Sequence, residues 1–134
     1  MIPSSNHANT TIATRRGQYP SKTWVIDRLR GRIVKQCDGF DAILQSIQKI
    51  LLTERYSEPI YSTFYGIEIK DMIGKPASYA CAALSQAVRE ALKQDDRIID
   101  VSVENIEVSG DSVSFTVHVT TNLGTVSTVE SIAL

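Results

Sequence analysis

The hydrophobic period of this chain changes once, and that change limits what it can fold into. Up to about residue 94, apolar side chains recur every three or four positions; from Ile99 onward they alternate. Phe40, Ile43, Leu44, Ile47, Ile50 and Leu51 form one stripe, which predicts an amphipathic helix over roughly residues 39–53. Ala80, Leu84, Val88 and Leu92 repeat every four residues, with Tyr79, Ala83, Ala87 and Ala91 beside them. They predict a second helix over about residues 76–94, begun at Pro76 and lined by small residues that allow close packing. Ile99, Val101 and Val103 then alternate, and a slip in phase to Ile106 and Val108 predicts a bulge near Asn105. Val113, Phe115, Val117 and Val119 alternate cleanly, and Thr125–Ile132 is a last strand rich in Ser and Thr. Turns at Ser109-Gly110-Asp111-Ser112 and Asn122-Leu123-Gly124 join these strands into a three-strand meander.

Before the helices, Thr23–Asp27 and Arg32–Gln36 read as a hairpin around Leu29-Arg30-Gly31. Asp38 is placed to cap the first helix. Between the helices, Pro59 bars helical continuation and Ile60–Tyr65 reads as a short extended piece. Glu68–Ile73 reads as one or two helical turns stopped by Gly74. The expected fold is α+β: a mostly antiparallel sheet, made of an N-terminal hairpin plus a C-terminal three-strand meander, with two main helices on one face. Residues 1–20 are polar and nearly free of aliphatics, so we expect an extended N-terminal arm before a single domain over 21–134.

The residue types argue against chemistry. Cys37 and Cys81 are the only cysteines, His7 and His118 the only histidines, and no metal-ligand spacing joins them. No phosphate-binding glycine loop and no Gly-x-Ser-x-Gly elbow occurs, so no cofactor is expected. Glu54 and Glu58, and the cluster Asp95, Asp96, Asp100 and Glu104, are the only candidates for paired acid catalysis. Arg55 and Arg97 stand beside them, and a neighbouring cation lowers a carboxyl pKa instead of raising it, so salt-bridged surface acids fit better. No apolar run approaches the ~18 residues of a membrane span.

Docking to other proteins is better supported. Arg15, Arg16, Lys22, Arg28, Arg30, Arg32 and Lys35 face a single acid, Asp27, within residues 15–35, while residues 36–134 hold seven bases against fourteen acids. Such a dipolar chain suits oriented association with partners of opposite sign, and a solvated cationic hairpin is the plainer reading. Tyr19 and Trp24 in the basic segment also suit base stacking, but the acidic remainder opposes nucleic-acid binding. The stretch Leu51–Gly74 crowds Tyr56, Tyr61, Phe64 and Tyr65 beside charges. This is either an interface or a satellite cluster beneath a loop. The last strand, polar and poor in charge, is either an acceptor edge for another chain's strand or an ordinary edge shielded by its own tail.

Four stretches carry a resemblance: Pro20-Ser21-Lys22-Thr23-Trp24; Leu52-Thr53-Glu54-Arg55 with Ile60-Tyr61-Ser62 and Tyr65-Gly66; Ile73-Gly74-Lys75; and Glu90-Ala91-Leu92 leading to Asp95-Asp96-Arg97-Ile98. From Pro20 to Gly124 the chain resembles the XkdS-type baseplate proteins of contractile-tail prophages. These are related to the wedge family also called sheath initiators and sometimes labelled tail lysozymes. In the wider wedge family a Glu-Pro-Arg tripeptide after the long helix binds the helical core of the wedge. The matching positions here are Asp95, Asp96 and Arg97, with only Arg97 kept in type.

The resemblance implies a structural, non-enzymatic wedge component, present in multiple copies, that offers a sheet edge to the first sheath ring. It also implies assembly into the tail baseplate of a phage or phage-tail-like particle after synthesis in the host cytoplasm. Expected partners are the tail sheath protein, other baseplate wedge proteins, and tube or hub proteins, with no membrane and no nucleic acid. On this expectation Glu54, Arg55, Asp95, Asp96 and Arg97 contact the wedge, Arg55 bracing with Glu54 and Arg97 with Asp95. Thr125, Val126, Ser127, Thr128 and Val129 form the sheath-facing edge. Arg15, Arg16, Lys22, Arg28, Arg30 and Arg32 lie along an acidic neighbour. A peptidoglycan-cleaving tail lysozyme and a small nucleic-acid-binding module are the alternatives.

Overall fold

The computed structural model describes residues 20–133. Most of the expected arm, with Arg15 and Arg16, lies outside the described residues. The elements run β1 (Thr23–Asp27), β2 (Arg32–Cys37), α1 (Phe40–Leu52), a 3-10 turn (Lys70–Met72), α2 (Ala77–Leu92), β3 (Ile98–Ser109), β4 (Ser112–Thr121) and β5 (Gly124–Ala133). Both helices fall within the stretches marked by the 3.6-residue period, and the three long strands coincide with those marked by alternation to within a residue or two at each end. One position is corrected: a register shift between Ile98 and Asp100 buries Ile98 and leaves Ile99 exposed, so Ile98 and not Ile99 shares the inner face with Val101.

The expected α+β class holds, with hairpin and meander as two separate antiparallel sheets, β1-β2 and β3-β4-β5. The hairpin borders α1 instead of the meander. The Gln45 side chain on α1 donates from Nε2 to the Trp24 carbonyl at 2.7 Å and accepts from the Ile26 N–H at 3.0 Å. A single amide thus satisfies the free edge of β1 as a neighbouring strand would.

The core lies between the helices and one face of the meander. On β4, Val113, Phe115, Val117 and Val119 are buried, while Ser114, Thr116, His118 and Thr120 between them are half-buried on the opposite face. Ile43, Ile47 and Leu51 of α1 and Leu84, Val88 and Leu92 of α2 close over that face, with Ile67, Ile69 and Met72 from the connection. Each such side chain stabilises the fold by about 1.5–3 kcal/mol through removal from water. The pairing of β3 with β4 shifts between Glu104 and Glu107, and Asn105 adopts φ 51°, as the slip in hydrophobic phase predicts.

Two further local expectations are corrected. Asp38 does not cap α1: Gly39, at φ 63°, holds the cap position, and the Asp38 carboxylate accepts from the Gly39 N–H at 2.7 Å. A carboxylate engaged with the adjacent amide does not reach the first helical turn. Ile60–Tyr65 is not extended. It folds as successive turns, with Tyr61 N–H donating to the Glu58 carbonyl at 3.2 Å and Tyr65 N–H to the Ser62 carbonyl at 3.1 Å. The coiling stacks the Tyr61 and Tyr65 rings at 4.5 Å. Extension begins only at Ile67, which bridges in parallel to Glu54. Gly66 makes that return possible: it sits at φ 94°, and an added Cβ would lie 2.6 Å from the Thr53 carbonyl oxygen.

Candidate interaction site

The turn after α2 is built around Asp95. Its Oδ1 accepts from the Arg97 Nε at 2.8 Å and the Arg97 backbone N–H at 3.0 Å, and its Oδ2 accepts from Arg97 Nη2 at 2.5 Å. Ser46 of α1 adds a fourth hydrogen bond, at 3.0 Å. The two charged side chains are 8% and 14% exposed, so the pair is largely withdrawn from water. Burial alone would raise the Asp95 carboxyl; the bonds and charge of Arg97, with Ser46, outweigh it and hold the carboxyl below the ordinary range. The Asp95 hydrogen bond conversely pushes the Arg97 guanidinium up, against the opposing effect of burial. The fork closes the α2–β3 junction on itself, and the Ser46 bond ties it to α1. Asp96 is exposed, and Arg97 borders a depression of about 260 Å³ shared with Lys22, Lys49 and Tyr65. Burial, then the neighbouring Tyr61 and Asp95, raise the Tyr65 hydroxyl.

Arg55 and Glu54 turn to different partners. Arg55 Nη1 lies 4.0 Å from Glu68 Oε2, and its Nε donates to the Gly66 carbonyl at 3.4 Å. Glu54 Oε1 accepts from the Ile69 N–H at 3.4 Å. Both side chains hold the 53–69 connection together across its neck. Among the described residues their partners are Gly66, Glu68 and Ile69, whereas Asp95 bonds Arg97 and Ser46, so the expected wedge-contact residues fall into two hydrogen-bonded groups.

Among the described residues β5 pairs only with β4 and forms one margin of its sheet. Its register runs unbroken from Ser112↔Ala133 to Thr121↔Gly124. The two-residue turn Asn122-Leu123 makes Thr121↔Gly124 a hydrogen-bonded pair, and pairs of that kind then recur at every second position. Val126, Thr128 and Glu130 therefore direct their backbone groups at β4. Thr125, Ser127, Val129 and Ser131 direct theirs outward. Val129 also exposes 72% of its surface. The opposite margin, β3, carries Asp100, Glu104 and Glu107 and two register shifts. Bulges and charges are devices that discourage strand pairing.

Lys22, Arg28, Arg30 and Arg32 all lie exposed on or beside the β1–β2 hairpin. Exposed Trp24, Ile26 and Ile33 lie among them. The sequence gives no warning of this apolar exposure, since a strand pattern looks the same whether or not anything covers it. Also unforeseen is a line of Glu104, His118 and Ser127 across the outer face of the meander, with His118 Nδ1 2.5 Å from Ser127 Oγ and Nε2 3.4 Å from Glu104 Oε2. Glu104 is 62% exposed, so the line lies in water and braces three strands. Among the described residues no three His, Cys, Asp or Glu side chains gather as metal ligands, and no helix is long and apolar enough to cross a membrane.

Comparison with known proteins gives the family. The sequence profile of the contractile injection system sheath initiators matches residues 21–124. The chain is also 35% identical over 116 residues to the phage-like element PBSX protein XkdS of Bacillus subtilis (strain 168), covering 84% of this chain and 82% of that protein.

Proposed function

The chain belongs to the contractile injection system sheath initiator family, and from that premise we propose that it nucleates the sheath by strand addition at β5. The observation that carries the reading is the contrast between the two margins of the meander. β5 is regular, nearly uncharged and open through Thr125, Ser127 and Val129. β3 is bulged and acidic. A terminal strand from a first-ring sheath subunit adds to β5, and the helices on the other face keep that edge rigid.

The remaining surfaces face the baseplate. Asp96 and the accessible side of Arg97 form one contact with neighbouring wedge proteins, and the Glu54–Arg55 neck a second. The basic hairpin lies along an acidic neighbour, and tube or hub proteins complete the surroundings. Several copies sit in a symmetric baseplate, in a phage tail or a related particle. The chain works without catalysis: Asp95 is held ionised by Arg97, and Glu54 serves the loop backbone, so neither suits an acid that must give up a proton.

The test is removal of the chain from a producing strain, with the particles imaged. Baseplates and tubes without sheath, restored by the wild-type chain, are expected. Normally sheathed particles, or peptidoglycan release by the purified protein, overturn the reading.

A further inference from the structure

Among the described residues nothing covers the side chain at the tip of the hairpin. Leu29 is 99% exposed between Arg28 and Arg30. The tip is nonetheless held firmly. Asp27 Oδ1 accepts from the N–H groups of Leu29 at 3.1 Å and Arg30 at 3.2 Å, and Asp27 Oδ2 lies 3.8 Å from Arg30 Nε. An apolar knob flanked by cations is thus presented in a fixed shape, which lowers the entropy lost on docking.

A socket of opposite character lies at the far end of α1. A depression of about 470 Å³ is lined by Leu52, Ile60 and Tyr61, with Glu54 and Glu58 among its other lining residues. Ile60 and Leu52 are largely exposed, so an uncovered apolar rim stands beside polar Thr53 and Ser57. Among the described residues neither Glu54 nor Glu58 has an ion-pair partner, because Arg55 turns to Glu68. Leu29, nearly fully exposed, does not fill the socket of its own chain.

We propose that the Arg28-Leu29-Arg30 tip of one copy docks into the Leu52–Ile60–Tyr61 depression of a second copy, joining copies head to tail. Leu29 packs on the exposed Leu52, Ile60 and Tyr61 side chains, and the flanking guanidiniums meet Glu54 and Glu58. The charge match decides the occupant: both members are present in every copy, so no second protein is required. Because tip and socket are different surfaces, the contact is heterologous and extends from copy to copy, closing into a ring where the rotation allows. The proposal deepens the reading of the basic hairpin as facing an acidic neighbour and rests on it.

Two substitutions at exposed positions test it in the full chain. Leu29→Asp disables the tip and leaves the socket; Ile60→Asp disables the socket and leaves the tip. By sedimentation at low ionic strength the wild type is expected to grow in mass with concentration and to return to 14.8 kDa in high salt. Each variant alone stays monomeric. An equimolar mixture forms a dimer that grows no further, since each pair retains one working contact. A mixture that stays monomeric overturns the copy–copy contact, as does self-association of either variant alone. If Leu29→Asp still blocks particle assembly while the mixture stays monomeric, the hairpin faces another protein and only the copy–copy contact fails.

Discussion

Substitution of Val129 by Pro separates the proposed acceptor function of β5 from its role in the fold. The Val129 N–H points away from β4, so its loss removes nothing from the internal ladder, and proline is tolerated where an edge N–H faces solvent. The incoming strand loses one backbone bond there and meets the pyrrolidine ring at a second. Two ladder bonds at about 0.5–1.5 kcal/mol each amount to about 1–3 kcal/mol, or about 5- to 150-fold in affinity. Thr128→Pro is the internal control. The Thr128 N–H faces Val117 on β4, so the same ring breaks the subunit's own sheet and strands a buried carbonyl, at about 1–3 kcal/mol of stability. The assays are thermal unfolding of the purified chain and imaging of particles that carry each variant. Val129→Pro is expected to melt within a few degrees of wild type yet give bare tubes, whereas Thr128→Pro melts distinctly lower. Normal sheaths on Val129→Pro baseplates would refute strand addition at this edge. Equal destabilisation by the two prolines would refute the assignment of backbone direction.

Two further predictions concern stability. The Asp95 carboxyl is held below its ordinary pKa, so as pH falls the unfolded chain takes up this proton first. The stabilisation is complete above about pH 4 and is lost as pH drops through the folded value. Asp95→Ala should cost about 2–3 kcal/mol at neutral pH and flatten the acid limb of stability in denaturant titrations; an unchanged acid limb contradicts the buried fork. Gly66→Ala, at φ 94° with its Cβ 2.6 Å from a backbone oxygen, should cost at least about 2 kcal/mol. Gly74→Ala, at φ 76° in open space, should cost about 1 kcal/mol. Equal melting temperatures for the two alanine variants would contradict the close return of the chain at Gly66.

What the sequence revealed and what it hid divide along a physical line. Regular elements were legible because burial of one face imposes a period: the Ile43–Ile47–Leu51 stripe and the Val113–Val119 alternation each admit one reading. The bulge was legible because a bulge must break that period. Contacts between residues far apart left no such trace. Gln45 is one polar residue on an amphipathic helix, and nothing local says that its amide stands in for a strand. Arg55 pairs with Glu68 instead of adjacent Glu54 because the parallel bridge at Ile67 brings residue 68 back beside it. In the tyrosine-rich connection, where the sequence leaves interface and satellite cluster open, Tyr65 packs against the core while Phe64 and Tyr56 are exposed.

An acceptor edge has a consequence for selectivity. Main-chain bonds at Thr125, Ser127 and Val129 would be offered to any extended strand, so an open edge alone cannot distinguish a sheath strand from another unpaired strand. Side chains must supply the difference. On the outer face of β5 those side chains are small and uncharged, so little discrimination can arise there. The strongly charged surfaces lie elsewhere, on the hairpin and on the turn that holds Asp96 and Arg97. Selectivity would then come from placement: the proposed baseplate contacts would orient the chain so that only strands descending the tail axis reach β5. On this argument, exchanging side chains along the outer face of β5 should alter sheath assembly less than reversing Arg28 and Arg30, although in the proposal only the former would touch the sheath.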